Sequence, residues 1–252
     1  MSPDPVNDPE LDAAIADRLS KLRTRIEAAA SSSGRDGADI TLLGASKIQS
    51  PKVIAVALQN GLRCLGENYV QEAAEKQPAL AALLGEPTAP EDKPRWHMIG
   101  ALQRNKAKLA VSLFDVIQTL DRASIALEVD KRARGIDKCI DAFIQVNLSE
   151  EAQKAGISEQ ALPELLAQCA PLANLRIVGL MTIPAPVSNP AENRPVFARL
   201  RTLRDSLHSQ SGGESLRELS MGMSRDFEIA IEEGATLVRI GSDLFGPRPE
   251  KN

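Results

Sequence analysis

Residues 218–242 read ELSMGMSRDFEIAIEEGATLVRIGS. Glu218-Leu-Ser-Met221 is a short apolar strand, Phe227 to Glu232 a short helix, and Leu237-Val-Arg-Ile240 a second strand. Two strands joined by a helical crossover belong in a parallel sheet, because a tight hairpin joins antiparallel neighbours only. The polar residues of this stretch, Ser224 and Ser242 with Gly222 and Gly241, cluster near the C-terminal ends of the two strands.

The same unit repeats toward the N-terminus. Ile40 to Ser46 is a buried strand ending at Lys47, followed by a helix that Pro51 opens and Asn60-Gly61 closes. Arg63 to Gly66, Trp96 to Ile99, Val116 to Leu120, Ala142 to Val146 and Ile177 to Met181 read as further strands. Helices are predicted from Val70 onward, over Asn105–Leu113, Ala123–Ala133 and Glu159–Cys169, and through Phe197, Leu200, Leu203 and Leu207. Eight strand-then-helix units favour a closed (β/α)8 TIM-like barrel over an open doubly wound sheet. No G-x-G-x-x-G follows the first strand, so nothing supports a dinucleotide fold. Before the barrel, Leu11, Ile15, Leu19, Leu22 and Ile26 share one face of an extra N-terminal helix. Residues 1–9 read as a flexible tail, and residues 10–252 as one barrel domain.

The 252 residues are 43% hydrophobic and 25% charged, enough to bury a large core. With 30 Lys and Arg against 34 Asp and Glu, the net charge of −4 disfavours nucleic acid and anionic membranes as partners. The three cysteines, Cys64, Cys139 and Cys169, form no C-x-x-C pair, which fits a reducing compartment. No secretory leader or membrane span is read, so the expectation is a cytoplasmic protein, and a monomer.

In a parallel barrel, chemistry gathers at the C-terminal ends of the strands. Lys47 emerges there from the apolar run LLGAS. Such a lysine commonly snorkels into water; held against an apolar wall it loses its proton more readily and can attack an aldehyde. Ser224 reads first as an ordinary helix N-cap, where Asp226 and Glu228 could satisfy the dipole without phosphate, and otherwise as an anion donor. Gly241 and Ser242 would add donors where barrels commonly hold phosphate. Arg239, inside the apolar V-R-I strand, needs a partner if it points inward. That partner is a barrel carboxylate such as Glu67, or a ring nitrogen that accepts from the guanidinium and so stays unprotonated. His97 is more often a satisfied core residue than an acid or base.

Taken together, LLGASK, GENYVQEA, WHMIGALQRNK, IQVNLSEEAQKAGI, GLMTIP, the 220–242 run and LFGPR resemble the pyridoxal phosphate homeostasis protein family. The match spans about residues 40–248. The resemblance implies a barrel similar to the N-terminal domain of alanine racemase, with pyridoxal 5′-phosphate (PLP) as a Schiff base on Lys47. It places Arg239 at the pyridine nitrogen. Met223-Ser224, Gly241 and Ser242 would lie at the phosphate, with Asn68 lining the cofactor. Ala45 and Ser242 depart from the usual Val and Thr, and Asp243 beside a phosphate would repel it. The implied role is PLP homeostasis or delivery, with PLP-dependent apoenzymes as recipients and no catalytic residue. A two-base racemase needs a second base, and Tyr69 is the one tyrosine of the chain. The alternative is a weakly active PLP-dependent amino-acid racemase or lyase.

Overall fold

The computed structural model describes residues 8–85, 89, 92–149, 155–209 and 215–247. The sheet is built from β1 (Thr41–Ala45), β2 (Cys64–Glu67), β3 (Arg95–Met98), β4 (Val116–Leu120), β5 (Ile140–Asn147), β6 (Ile157–Ser158), β7 (Leu175–Met181), β8 (Glu218–Met223) and β9 (Leu237–Ile240). All pairings are parallel. Their order is β4-β3-β2-β1-β9-β8-β7-β5-β6, and β4 also pairs with β5. That last pairing closes eight strands into a barrel and leaves two-residue β6 outside it, on β5. The strand-by-strand alternation expected from sequence is therefore a closed barrel, and β6 is the one strand the periodicity did not show, being too short to carry any.

The crossover helices are α2 (Pro51–Gln59), α3 (Val70–Leu84), α4 (Ala107–Leu113), α5 (Ala123–Arg134), α6 (Leu162–Cys169), α7 (Arg194–His208), α8 (Phe227–Glu232) and α9 (Ser242–Phe245). Ahead of them, α1 (Pro9–Ser32) starts on a proline at its first turn, with Asp8 accepting from Leu11 N–H as N-cap. The helix therefore begins inside the segment read as a tail; residues 1–7 lie outside the described residues. Its buried face is Ile15, Leu19, Leu22, Ile26, Ala29 and Ala30, spaced at helical period. That helix packs on α2, α8 and α9.

Side chains alternate along each strand between two cores. The outward set, including Leu65, Ile117, Leu219, Val238 and Ile240, joins the helices in one continuous core. The inward set is smaller: Leu43, Val116, Phe143, Met181 and Leu237. The barrel interior also holds polar side chains, with His97, Gln118, Ser220 and Arg239 all buried. Among the described residues, no helix is long and apolar enough to cross a membrane.

Candidate cofactor-binding site

At the C-terminal ends of the strands opens a cavity of about 520 Å³, within the range of small-molecule sites. Lys47, Met223, Ser224, Arg239, Gly241 and Ser242 all line it. Asn68 does not: it lies past β2, with its backbone against Gly100.

Lys47 is half-buried and follows the end of β1 by two residues. Arg239 enters from β9 with 5% of its surface exposed. Its Nη1 donates to Ser220 Oγ at 2.6 Å and its Nη2 to the Thr182 carbonyl at 3.0 Å. Both acceptors are neutral. The carboxylate partner considered from sequence, Glu67, is engaged elsewhere, by Lys76 and Ser46. Burial lowers the Arg239 pKa to about 10, with Asp226 pulling the other way, so the guanidinium keeps its charge at neutral pH.

The network continues inward with one donor direction. Ser220 Oγ donates to Gln118 Oε1 at 2.7 Å, and Gln118 Nε2 stands 2.8 Å from His97 Nδ1. A Gln that accepts through oxygen donates through nitrogen, so His97 Nδ1 is the acceptor and its proton sits on Nε2. Burial pushes the His97 pKa down to about 3, and Nε2 has no partner among the described residues. His97 is thus a neutral core histidine below Arg239, satisfied on one nitrogen, and it does not line this cavity.

On the other wall, Gly222 turns the chain from β8 toward α8 with φ +91°. A Cβ there would stand 2.6 Å from Ala230 Cβ and 2.9 Å from Phe227 Cα, so backbone and packing both require glycine. The N-cap of α8 is Asp226, not Ser224. Asp226 accepts from Met223 N–H at 2.8 Å and from Asn193 Nδ2 at 2.8 Å. The Ser224 side chain is thereby left to the cavity rather than to the helix. Gly241 differs from Gly222. Its φ is −110°, and a Cβ there would meet nothing nearer than Ala45 O at 3.7 Å. Packing among the described residues thus leaves room for a Cβ at 241. Asp243 turns from the cavity to Arg25 on α1, 2.9 Å away. Arg25 also pairs with Glu228 and lies 4.5 Å from the Phe227 ring centroid. The repulsion expected of Asp243 is thus answered by a cation from the N-terminal helix.

Gln145, Pro184, Asn193 and Asp226 line the cavity as well. From sequence Asp226 reads only as a partner of the helix dipole, and the other three carry no site signal. Pro184 lies in a segment legible only as a proline-rich loop, and the Asn193–Asp226 bond joins residues far apart in the chain.

The cavity brings together an amine from the first strand, a buried guanidinium bonded to neutral oxygens, and hydroxyl and amide donors beside a spare glycine. A closed parallel barrel of this kind has the fold of the barrel domain of alanine racemase. The family described as Alanine racemase, N-terminal domain, matches residues 43–249. Relatives match across nearly their whole lengths. The pyridoxal phosphate homeostasis protein of Aquifex aeolicus is 44% identical over 92% of this chain and 97% of its own. That of Escherichia coli K12 is 39% identical over 93% and 97%. The structure of PipY from Synechococcus elongatus with PLP bound superposes with a TM-score of 0.80, at 36% identity, over 92% of this chain and 100% of PipY. The chain belongs to the pyridoxal phosphate homeostasis protein family.

Proposed function

We propose that this protein binds PLP in the cavity at the barrel mouth, with Lys47 as the amine that bonds its aldehyde carbon, and serves PLP homeostasis or delivery rather than amino-acid turnover. The observation that carries this reading is Arg239: a buried cation, hydrogen-bonded to neutral oxygens, in one cavity with Lys47. Such a charge is costly in the empty protein and is offset by a ligand that accepts from it. Ser224, Gly241 and Ser242 would hold the phosphate, with Met223 beside them. Asn68, behind Gly100, would act from outside the cavity wall.

Bound PLP supplies an electrophilic carbon and a pyridine ring that draws electrons strongly only when its nitrogen is protonated. Arg239 keeps its own protons, since its pKa stays at about 10. It can therefore donate a hydrogen bond to a ring nitrogen without giving up a proton. That holds the ring while leaving it a poor electron sink, which suits storage. Transfer of the aldehyde to an incoming amine needs no such sink, so PLP-dependent apoenzymes fit as recipients, and one barrel, as a monomer, carries every residue named.

The test is direct. Protein incubated with PLP and gel-filtered should hold a visible absorption band, and borohydride reduction followed by peptide mapping should place the adduct on Lys47. In Lys47→Ala the band and adduct should vanish. A full-strength band in that variant would end the proposal.

A further inference from the structure

The turn that carries Lys47 is strained. Ser46 O accepts from Gln49 N–H at 3.0 Å, which closes a four-residue turn with Lys47 and Ile48 in the middle. Ile48 has φ +69°. A positive φ at the third position ordinarily calls for glycine or asparagine; a β-branched residue there is an outlier held in place by its surroundings.

Two residues of α3 do the holding. Glu72 Oε1 accepts from Ile48 N–H at 2.5 Å. Lys76 Nζ donates to Ser46 O at 2.7 Å, to Glu67 Oε1 at 2.8 Å and to Glu72 Oε1 at 2.6 Å. All three donors of the ammonium are used. Ser46 O belongs to the peptide before Lys47, and Ile48 N–H to the peptide after it. Both peptide units flanking the lysine are therefore tied to one ion pair. Upstream, Ser46 N–H donates to Gly66 O at 2.9 Å, and Ser46 Oγ to Glu67 Oε1 at 2.7 Å, which ties the start of the turn to β2.

The orientation of the peptide between Lys47 and Ile48 decides the turn type. Isoleucine by itself prefers negative φ, with that peptide turned over and its N–H pointing the other way. Glu72 captures the N–H in the orientation isoleucine disfavours. We propose that Glu72 and Lys76 are positioning residues for Lys47: they hold the peptides on either side of it in a strained turn and so fix where its amine stands in the cavity. This rests on the reading of Lys47 as the PLP-bonding amine.

The experiment compares Glu72→Ala, Glu72→Gln and the double variant Glu72→Ala/Ile48→Asn with the unaltered protein. The rate of borohydride-trappable PLP on Lys47 is followed, together with total PLP retained after gel filtration. Misplacement of a reacting group slows reaction by roughly 10–100-fold, and that slowing is expected for Glu72→Ala. Retained PLP should fall much less, because the hydroxyl and glycine donors lie at the ends of β8 and β9. Glu72→Gln keeps an oxygen for the Ile48 N–H and should recover part of the rate. The double variant should recover most of it, because asparagine adopts the turn without Glu72. A purely structural role for Glu72 would give no such rescue. Glu72→Ala that captures PLP at the unaltered rate overturns the proposal.

If the unaltered protein places no PLP on Lys47, the reading of the site fails, and the clamp is judged alone by hydrogen exchange of the Ile48 amide. Slow exchange that becomes fast in Glu72→Ala supports the clamp; equal exchange in both overturns it.

Discussion

Two cations are buried near the upper rim of the barrel, and they are compensated in opposite ways. Lys76, its side chain 7% exposed, lies between the carboxylates of Glu67 and Glu72. Arg239 is as deeply buried, yet its hydrogen bonds go to a serine hydroxyl and a backbone carbonyl. A buried charge is tolerated when it is paired and costly when it is not. The contrast separates two uses of the same physics. Lys76 is in direct contact with two carboxylates, whereas Arg239 hydrogen-bonds neutral oxygens and feels a carboxylate, Asp226, only at longer range.

The largest effect should come from breaking the compensated side. Lys76→Met leaves Glu67 and Glu72 facing an apolar chain, and loss of one partner of a buried pair costs about 3–5 kcal/mol. For a domain of this size that is a fall in Tm of roughly ten degrees. The pH dependence sharpens the test. Burial already raises the Glu67 pKa, against the pull of Lys76 and Ser46, and without Lys76 it rises further. A carboxyl with a raised folded pKa adds stability at low pH and loses it as pH climbs through that value. The variant should therefore regain part of its deficit between pH 7 and pH 5, which thermal melts across that range would show. A pH-independent deficit would mean that Glu67 is not the group left stranded.

The next test adds charge to the side whose hydrogen bonds reach only neutral groups. Arg239, Ser220, Gln118 and His97 form one donor chain, and it ends on a neutral imidazole. The folded pKa of His97 is about 3, against about 6.5 in an unfolded chain. The unfolded state takes up the proton first as pH falls, so stability present above about 6.5 declines toward 3 by up to about 1.4 kcal/mol per pH unit. Urea midpoints should accordingly fall faster with acidification in the natural protein than in His97→Gln, which keeps an acceptor for Gln118 and cannot titrate. The expected difference is roughly 2–3 kcal/mol between pH 6.5 and 4.5. Parallel slopes would show that the imidazole is already protonated, or reaches water.

The same contrast explains why Lys76 escaped sequence reading and Arg239 did not. Arg239 sits in V-R-I, where a charge in an apolar strand is conspicuous. Lys76 lies in Glu-Ala-Ala-Glu-Lys-Gln, a stretch with the composition of an exposed helix face. Its burial depends on where α3 lies against β1 and β2, which no local pattern records. The barrel and five of the mouth residues beyond Lys47 were legible because periodicity and the strand-end rule are local. The Ile48 turn was not: isoleucine is the wrong residue for that backbone, and the glutamate that enforces it lies one helix away. The Asp243–Arg25 pair was hidden for a similar reason, since it joins opposite ends of the chain.

The smallest effect on stability, and the most diagnostic, should be that of Arg239→Met. The substitution leaves Ser220 Oγ and Thr182 O without a donor, at a cost of about 1–3 kcal/mol. It also removes a desolvated charge whose hydrogen bonds reach only neutral oxygens, and that gain is of similar size. Without cofactor the two should nearly cancel, leaving stability within about 1 kcal/mol of the natural protein by urea denaturation. With PLP added, the natural protein should gain in Tm by mass action. The variant should gain far less and lose its PLP on dialysis. If Arg239→Met instead destabilised the cofactor-free protein as severely as Lys76→Met, both cations would be structural and the distinction between them would collapse. A near-silent substitution in the apo protein that becomes costly only when PLP is present is the behaviour of a charge kept for a ligand.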